Sequence, residues 1–140
     1  MPVPPEYQRA SQHFEKFMAD ACEESGLNTS HMAYNMVVGV LHTFRRRLNI
    51  RDALRFASFL PPVLRALFVA DWNPDELQRP FEDVATMTSE VKALRADHNF
   101  SPDTAIHDVA VALRRNVLEA DFEAMLATLP PAAKDFWRVK

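Results

Sequence analysis

Three groups of side chains in this sequence could do chemistry, and each points to a different kind. His107-Asp108 could open a catalytic argument, because helical metal-dependent phosphohydrolases use a His-Asp pair, with a further His and Asp, to hold a divalent ion. Such an ion with an open coordination position generates a hydroxide nucleophile. His13, His31, His42 and His98 are the other histidines, and none stands at a diagnostic spacing from the doublet. Cys22, the single cysteine, follows an apolar helical stripe and sits beside Glu23 and Glu24. A reactive thiolate needs a basic or helix-N-terminal setting and a positioned base, so Cys22 reads as a small buried side chain instead. The third group is basic. Arg45, Arg46 and Arg47, with Arg51 and Arg55 close behind, form the densest charge cluster and could clamp phosphate or an acidic partner through bidentate hydrogen bonds. The same arginines end a helix, where cations interact favourably with the exposed carbonyls, and Asp52 is near enough to pair.

Composition excludes much of the remaining chemistry. With 2 glycines in 140 residues, the chain carries neither a Gly-x-Gly-x-x-Gly turn nor a phosphate-cradling Gly-Lys-Ser/Thr loop, so no nucleotide cofactor is expected. No metal or other cofactor is assigned either. A formal net charge of −3 argues against a protein whose main task is to coat nucleic acid, and the basic cluster has no interleaved aromatic stacking platform. One cysteine permits no disulfide framework and fits a reducing compartment. The segment Met1-Pro2-Val3-Pro4-Pro5-Glu6-Tyr7 lacks the charged and apolar regions of a secretory signal. The most apolar run, residues 56–70, is interrupted by Pro61, Pro62 and Arg65, whereas a membrane span needs about 20 apolar residues. A cytoplasmic protein with no membrane span is the expectation.

Helices must position these groups. A content of 48% hydrophobic and 25% charged residues belongs to a folded globular chain, and 10 prolines with few glycines suit helices better than hairpins. Phe14, Phe17, Met18, Ala21 and Cys22 recur at helical spacing, and Gly26 is placed to close that helix in the left-handed conformation. Thr29 or Ser30 should cap the next, with Tyr34, Val37, Val38, Leu41, Phe44 and Leu48 inward. Asn49 caps a third helix carrying Ala53, Phe56, Ala57 and Leu60, and Pro61-Pro62 end it and open a fourth with Leu64, Leu67 and Phe68. Asn73-Pro74-Asp75-Glu76 predicts a short connecting helix. Val84, Met87, Val91 and Leu94 then make a further stripe. Ser101 and Pro102 should start the helix of Ile106, Val109, Ala110, Leu113 and Val117. Phe122, Met125, Leu126 and Leu129 follow, and Pro130-Pro131 precede a last helix ending in Phe136 and Trp137.

The order of elements is stated twice. Arg45-Arg46 recurs as Arg114-Arg115 and Leu60-Pro61-Pro62 as Leu129-Pro130-Pro131, both 69 residues on. At that shift Val37, Val40, Leu41, Phe44 and Leu48 meet Ile106, Val109, Ala110, Leu113 and Val117, and Asp52 meets Asp121. A constant shift across separated matches marks an internal repeat. The expected organisation is a tail at residues 1–7, a first helical unit at 8–72, a connecting segment at 73–80 and a second unit at 81–140. The fold class is all-α, with two tandem, related units of about four helices each in one compact bundle-like domain.

Leu60-Pro61 with Leu67-Phe68, the Trp72-Asn73-Pro74 exit, the arginine-bearing second helix and the acidic start of the third resemble the bacterial family known as domain of unknown function 2267. The resemblance extends over residues 14–137 and implies a duplicated all-helical fold without an established activity. The second unit departs from the pattern, since no second Trp-Asn-Pro exit follows Trp137.

Trp72 and Trp137, with Phe59, Phe81 and Phe136, fall at helix ends, where they either present a contact surface or bury between the units. Trp72 is expected where the units meet. Together these readings favour a non-enzymatic interaction or structural module that binds a protein partner or forms a homo-oligomer. Its candidate interaction residues are Arg45, Arg46, Arg47, Trp72 and Trp137. The alternatives are a metal-dependent phosphohydrolase using His107 and Asp108, and phosphate or nucleic-acid binding through Arg45, Arg46 and Arg47.

Overall fold

Proline, glycine and polar caps set the helix boundaries, as the sequence pattern requires. The computed structural model describes residues 2–139. The described residues form nine α-helices: α1 (Pro5–Gln8), α2 (Ala10–Ser25), α3 (Ser30–Arg45), α4 (Ile50–Phe59), α5 (Pro62–Val69), α6 (Val84–Ala93), α7 (Ala105–Arg115), α8 (Glu119–Leu126) and α9 (Pro131–Phe136). A 3₁₀ turn, Ala96–His98, precedes α7, and no strand occurs among the described residues. The chain is all-α. Met1 and Lys140, the outer ends of the expected tail and second unit, lie outside the described residues.

Gly26 closes α2 at φ 76°, its N–H donating to the Cys22 carbonyl at 3.0 Å. Thr29 and Asn49 cap α3 and α4, accepting from the Met32 and Asp52 N–H groups at 3.2 and 2.8 Å. Pro62 and Pro131 open α5 and α9.

Three local expectations are corrected. Residues 73–76 form a turn instead of a helix, closed by the Glu76 N–H on the Asn73 carbonyl at 3.2 Å, because an isolated turn of helix bounded by Pro74 and Pro80 has too few backbone bonds to offset its nucleation cost. Ser101 does not cap α7. The Asn99 amide NH₂ donates to the carbonyls of Val91 and Leu94 at 2.9 and 2.8 Å, leaving its oxygen to hold the Ser101 backbone and hydroxyl, and the helix begins only at Ala105. Tyr34 and Val84 lie outward, at 36% and 61% exposure, each in the first turn or so of its helix before the neighbouring helix closes over it. At the start of the chain Pro5 opens the one-turn helix α1, which is exposed throughout.

The helices pair across the two halves of the chain. The most extensive packing is of α2 on α7 and of α3 on α6, so the first long helix of each half lies against the arginine-bearing helix of the other. Gly39 permits the second contact, since a Cβ there would stand 2.8 Å from the Val91 carbonyl oxygen. Between these pairs the core is aromatic. Phe17, Phe44, Phe56, Phe68, Phe122 and Trp137 are fully buried, and burial of such large rings supplies much of the hydrophobic stabilisation of a chain this size.

Candidate functional site

Consecutive residues on an α-helix point about 100° apart, so three arginines at the end of α3 cannot share one face, and they do not. Arg47 turns inward. Its side chain is 1% exposed and donates to the Thr43 carbonyl at 2.8 Å, to Glu90 at 2.6 Å and to Glu82 at 3.1 Å. Arg46 remains partly exposed, with Nε donating to Glu76 at 3.1 Å and Nη1 lying 3.8 Å from Glu90. Arg45 reaches the end of α5, where Nη1 donates to the carbonyls of Phe68 at 2.7 Å and Ala70 at 3.0 Å.

Those carbonyls are the ones an α-helix leaves without internal partners. His42, one turn before Arg45, donates from Nε2–H to the Leu67 carbonyl at 2.9 Å, which also accepts from the Ala70 N–H at 3.3 Å. Burial holds the His42 imidazole below the usual histidine value of 6.5, against the opposing effect of the Leu67 bond. Burial likewise holds the Arg45 guanidinium below its ordinary value; Arg46 adds to this, while Glu76 and Asp71 oppose it. The connecting segment completes the end of α3, because Arg79 N–H and the Gln78 amide donate to the carbonyls of Arg46 and Arg47 at 2.9 and 3.2 Å.

Arg45, Arg46 and Trp72 line one cleft of about 430 Å³, together with Ile50, Glu76 and Leu77. The Arg45 guanidinium carbon lies 5.2 Å from the centroid of the Trp72 ring, a cation–π contact. Trp72 is half-buried, and its other ring neighbour is Phe68, at 6.2 Å, so it packs within the first half and not where the halves meet. Ile50 and Leu77 stand open at the rim, with 62% and 86% exposure. The sequence singled out neither. Ile50 stands three and seven residues before the buried Ala53 and Ala57, so its spacing alone marks it as inward, and no signal in the sequence gave its exposure.

Trp137 occupies a different place. Its ring is fully buried, stacked on Phe56 at 5.5 Å and edge-on to Phe44 at 5.3 Å, and it joins the two halves. Its indole N–H has no hydrogen-bond partner among the described residues. Phe59, Phe81 and Phe136 also pack against the core.

The second half repeats the arginine contact. Arg114 donates from Nε and Nη2 to the Trp137 carbonyl at 3.0 and 2.8 Å, and its guanidinium carbon lies 5.0 Å from the Phe122 ring centroid. Arg114 and Trp137 follow Arg45 and Phe68 by the same 69 residues. The shift also relates the Arg47 bond on the Thr43 carbonyl to the bond of Asn116 on the Ala112 carbonyl, at 2.7 Å. Arg114 takes its carboxylates from Glu123 at 2.7 Å and Glu119 at 3.3 Å, not from Asp121. The Arg114 hydrogen bond holds the Glu123 carboxyl below its ordinary value.

The remaining candidates are not assembled with further chemistry. His107 is half exposed with Nδ1 3.5 Å from Asp108, whose other oxygen accepts from Thr104 at 2.6 Å. No group of three or more His, Cys, Asp or Glu side chains that could hold a metal occurs among the described residues. Cys22 packs against the core, half-buried. A wider cleft of about 760 Å³ contains His13, Lys16 and Arg115. Each of these is already engaged, with Asn116, Asp20 and Glu24 respectively. No helix among the described residues is long and apolar enough to cross a membrane.

Fold and site together define an all-α protein in which a helix-end arginine of each half clamps the carbonyl end of that half's last helix. The chain matches an uncharacterized conserved protein family, domain of unknown function 2267, over residues 14–136, and it belongs to that family. No curated protein matches it.

Proposed function

We propose that this protein is a non-enzymatic interaction module, built from two related units at residues 8–72 and 81–140 joined by 73–80, and that it recognises a protein partner at the cleft of Arg45, Arg46 and Trp72. The duplication is supported by the two sets of hydrogen bonds that recur 69 residues apart. The interaction reading is carried by one observation. In that cleft a nearly buried guanidinium, whose own bonds go only to carbonyls, lies beside a half-buried tryptophan and two exposed aliphatic side chains. Tryptophan and arginine are the residues that most often anchor protein interfaces, and exposed aliphatic side chains at the rim add apolar area for a partner to cover. Arg47 and Trp137 belong to the interior in this reading, where they hold the halves together.

Site-directed photocrosslinking in cells tests it. A benzophenone amino acid at Leu77, at the rim, should give a discrete adduct that Trp72→Ala removes, while the same group at Leu118, also exposed but outside the cleft, should not. Equal adducts from both positions, or none from Leu77, would refute the assignment.

A further inference from the structure

The two halves supply an internal comparison that gives the chemistry of the ligand. Arg114 has two carboxylates at hand, Glu119 and Glu123, at 3.3 and 2.7 Å. At the shift of 69 residues that superposes the arginine contacts, the positions of Glu119 and Glu123 are held by Ile50 and Leu54. Both are exposed, at 62% and 55%, and Ile50 lines the cleft with Arg45. In both halves the arginine bonds the carbonyl of the equivalent residue, through Nη1 in Arg45 and through Nε and Nη2 in Arg114, but only the second half adds carboxylates, where the first has aliphatic side chains.

Arg45 also keeps an unsatisfied donor, on the edge that in Arg114 bonds the Trp137 carbonyl. Both of its hydrogen bonds leave from Nη1, and its Nε is buried with no partner among the described residues, although the residue as a whole is only 3% exposed. Glu76 shares the cleft but accepts from Arg46. A buried donor without an acceptor is costly, and a charge-assisted bond to a carboxylate is among the strongest that can relieve it. Planar, forked donors match carboxylate geometry better than a point charge would.

We infer that the cleft takes a carboxylate supplied from outside, carried on an acidic segment of a protein partner whose apolar neighbours cover Ile50, Leu54 and Leu77. This inference rests on the interaction reading above and names the group recognised there. Charge complementarity selects the acidic residue. The aliphatic rim selects a segment in which that residue is flanked by apolar side chains, since a fully hydrated anion would gain nothing from that surface. The second half needs no such ligand because Glu119 and Glu123 already occupy its site.

The test uses the full chain and two blocked tripeptides, Leu-Glu-Leu and Leu-Gln-Leu, followed through the Trp72 indole N–H and the Arg45 Nε–H in proton–nitrogen NMR spectra. The glutamate peptide should shift both signals saturably and leave those of Arg114 unmoved, and the glutamine peptide should bind roughly tenfold or more weakly, the effect of losing one charge-assisted hydrogen bond. The double variant Ile50→Glu with Leu54→Glu restores the carboxylates of the second half at exposed positions, so it should fold, melt at a higher temperature and lose the peptide response. Equal binding of both peptides would overturn the carboxylate assignment while leaving the interaction reading in place. Unchanged binding to the double variant, or no response to either peptide, would overturn the inference, and the Leu77 crosslink then decides the interaction reading separately. Saturation by acetate at the same concentration would reassign the cleft to free carboxylates and overturn the partner segment.

Discussion

Removing the Trp137 side chain should destabilise the whole chain, although the residue lies at the end of the shortest of the second half's helices. Its ring is fully buried and meets Phe44 and Phe56 from the first half and Phe122 and Phe136 from the second, at centroid distances of 5.2 to 6.1 Å. Truncating a buried Trp to Ala leaves a cavity and typically costs about 3–5 kcal/mol. For a domain of this size each kcal/mol lowers Tm by about 3–5 °C, so Trp137→Ala should melt roughly 9–25 °C lower. Trp137→Phe separates packing from polarity. It gives up part of the ring volume but also deletes a buried indole N–H without a partner, which itself costs about 1–3 kcal/mol. The two effects offset, and we expect Trp137→Phe to fall within about 1.5 kcal/mol of wild type. Trp72→Ala, at a half-buried ring, should cost about 1–2 kcal/mol. Urea denaturation followed by circular dichroism and by the fluorescence of the remaining tryptophan reads all three. A single transition at lower urea is expected for Trp137→Ala. Equal losses in Trp137→Ala and Trp72→Ala, or two separate transitions in the former, would refute the view that Trp137 binds the halves into one cooperative core.

Further expectations follow from individual contacts. In Gly39→Ala the new methyl meets the Val91 carbonyl oxygen at 2.8 Å, and overpacking of that kind costs about 1–3 kcal/mol, only partly offset by the better helix propensity of alanine; an unchanged melting temperature would show that α6 can yield. His42 is held below its unfolded value of 6.5, so its contribution is fully present above pH 6.5 and is lost as the pH falls through the folded value, where the unfolded chain has already taken up a proton. Chemical denaturation across pH 5–7.5 should therefore show stability declining on the acid side, and His42→Gln, which keeps a donor for the Leu67 carbonyl, should flatten that decline; an identical slope in the variant would remove His42 as its cause. Neutralising Glu90 in Glu90→Gln leaves the Arg47 guanidinium, 1% exposed, with Glu82 as its only carboxylate, and should cost roughly 2–4 kcal/mol, short of the full 3–5 for breaking a buried pair. A loss under about 0.5 kcal/mol by urea denaturation would mean that water reaches Arg47.

Local rules in the sequence determined the elements. Gly26 at the end of α2, Thr29 and Asn49 as caps, and the paired prolines before α5 and α9 act through backbone sterics and hydrogen bonds within a few residues, so their effects can be read without knowing the neighbours. Apolar spacing likewise marked nearly the whole core, failing at Tyr34 and Val84 near helix starts, where burial depends on what the next helix covers. The all-α class and the family relationship were legible for the same reason. The fate of Arg45, Arg46 and Arg47 was not. Three like residues in a row were separated into a carbonyl clamp, a partly exposed ion pair and a buried one by helix geometry and by partners up to 43 residues away in the chain. Nor did the sequence distinguish Trp72 from Trp137, both at the ends of helices, because only the packing of α3, α4 and α8 around Trp137 decides which ring is enclosed. Helix pairing is a long-range outcome, set by the close approach at Gly39 and by the joint burial of stripes far apart in sequence.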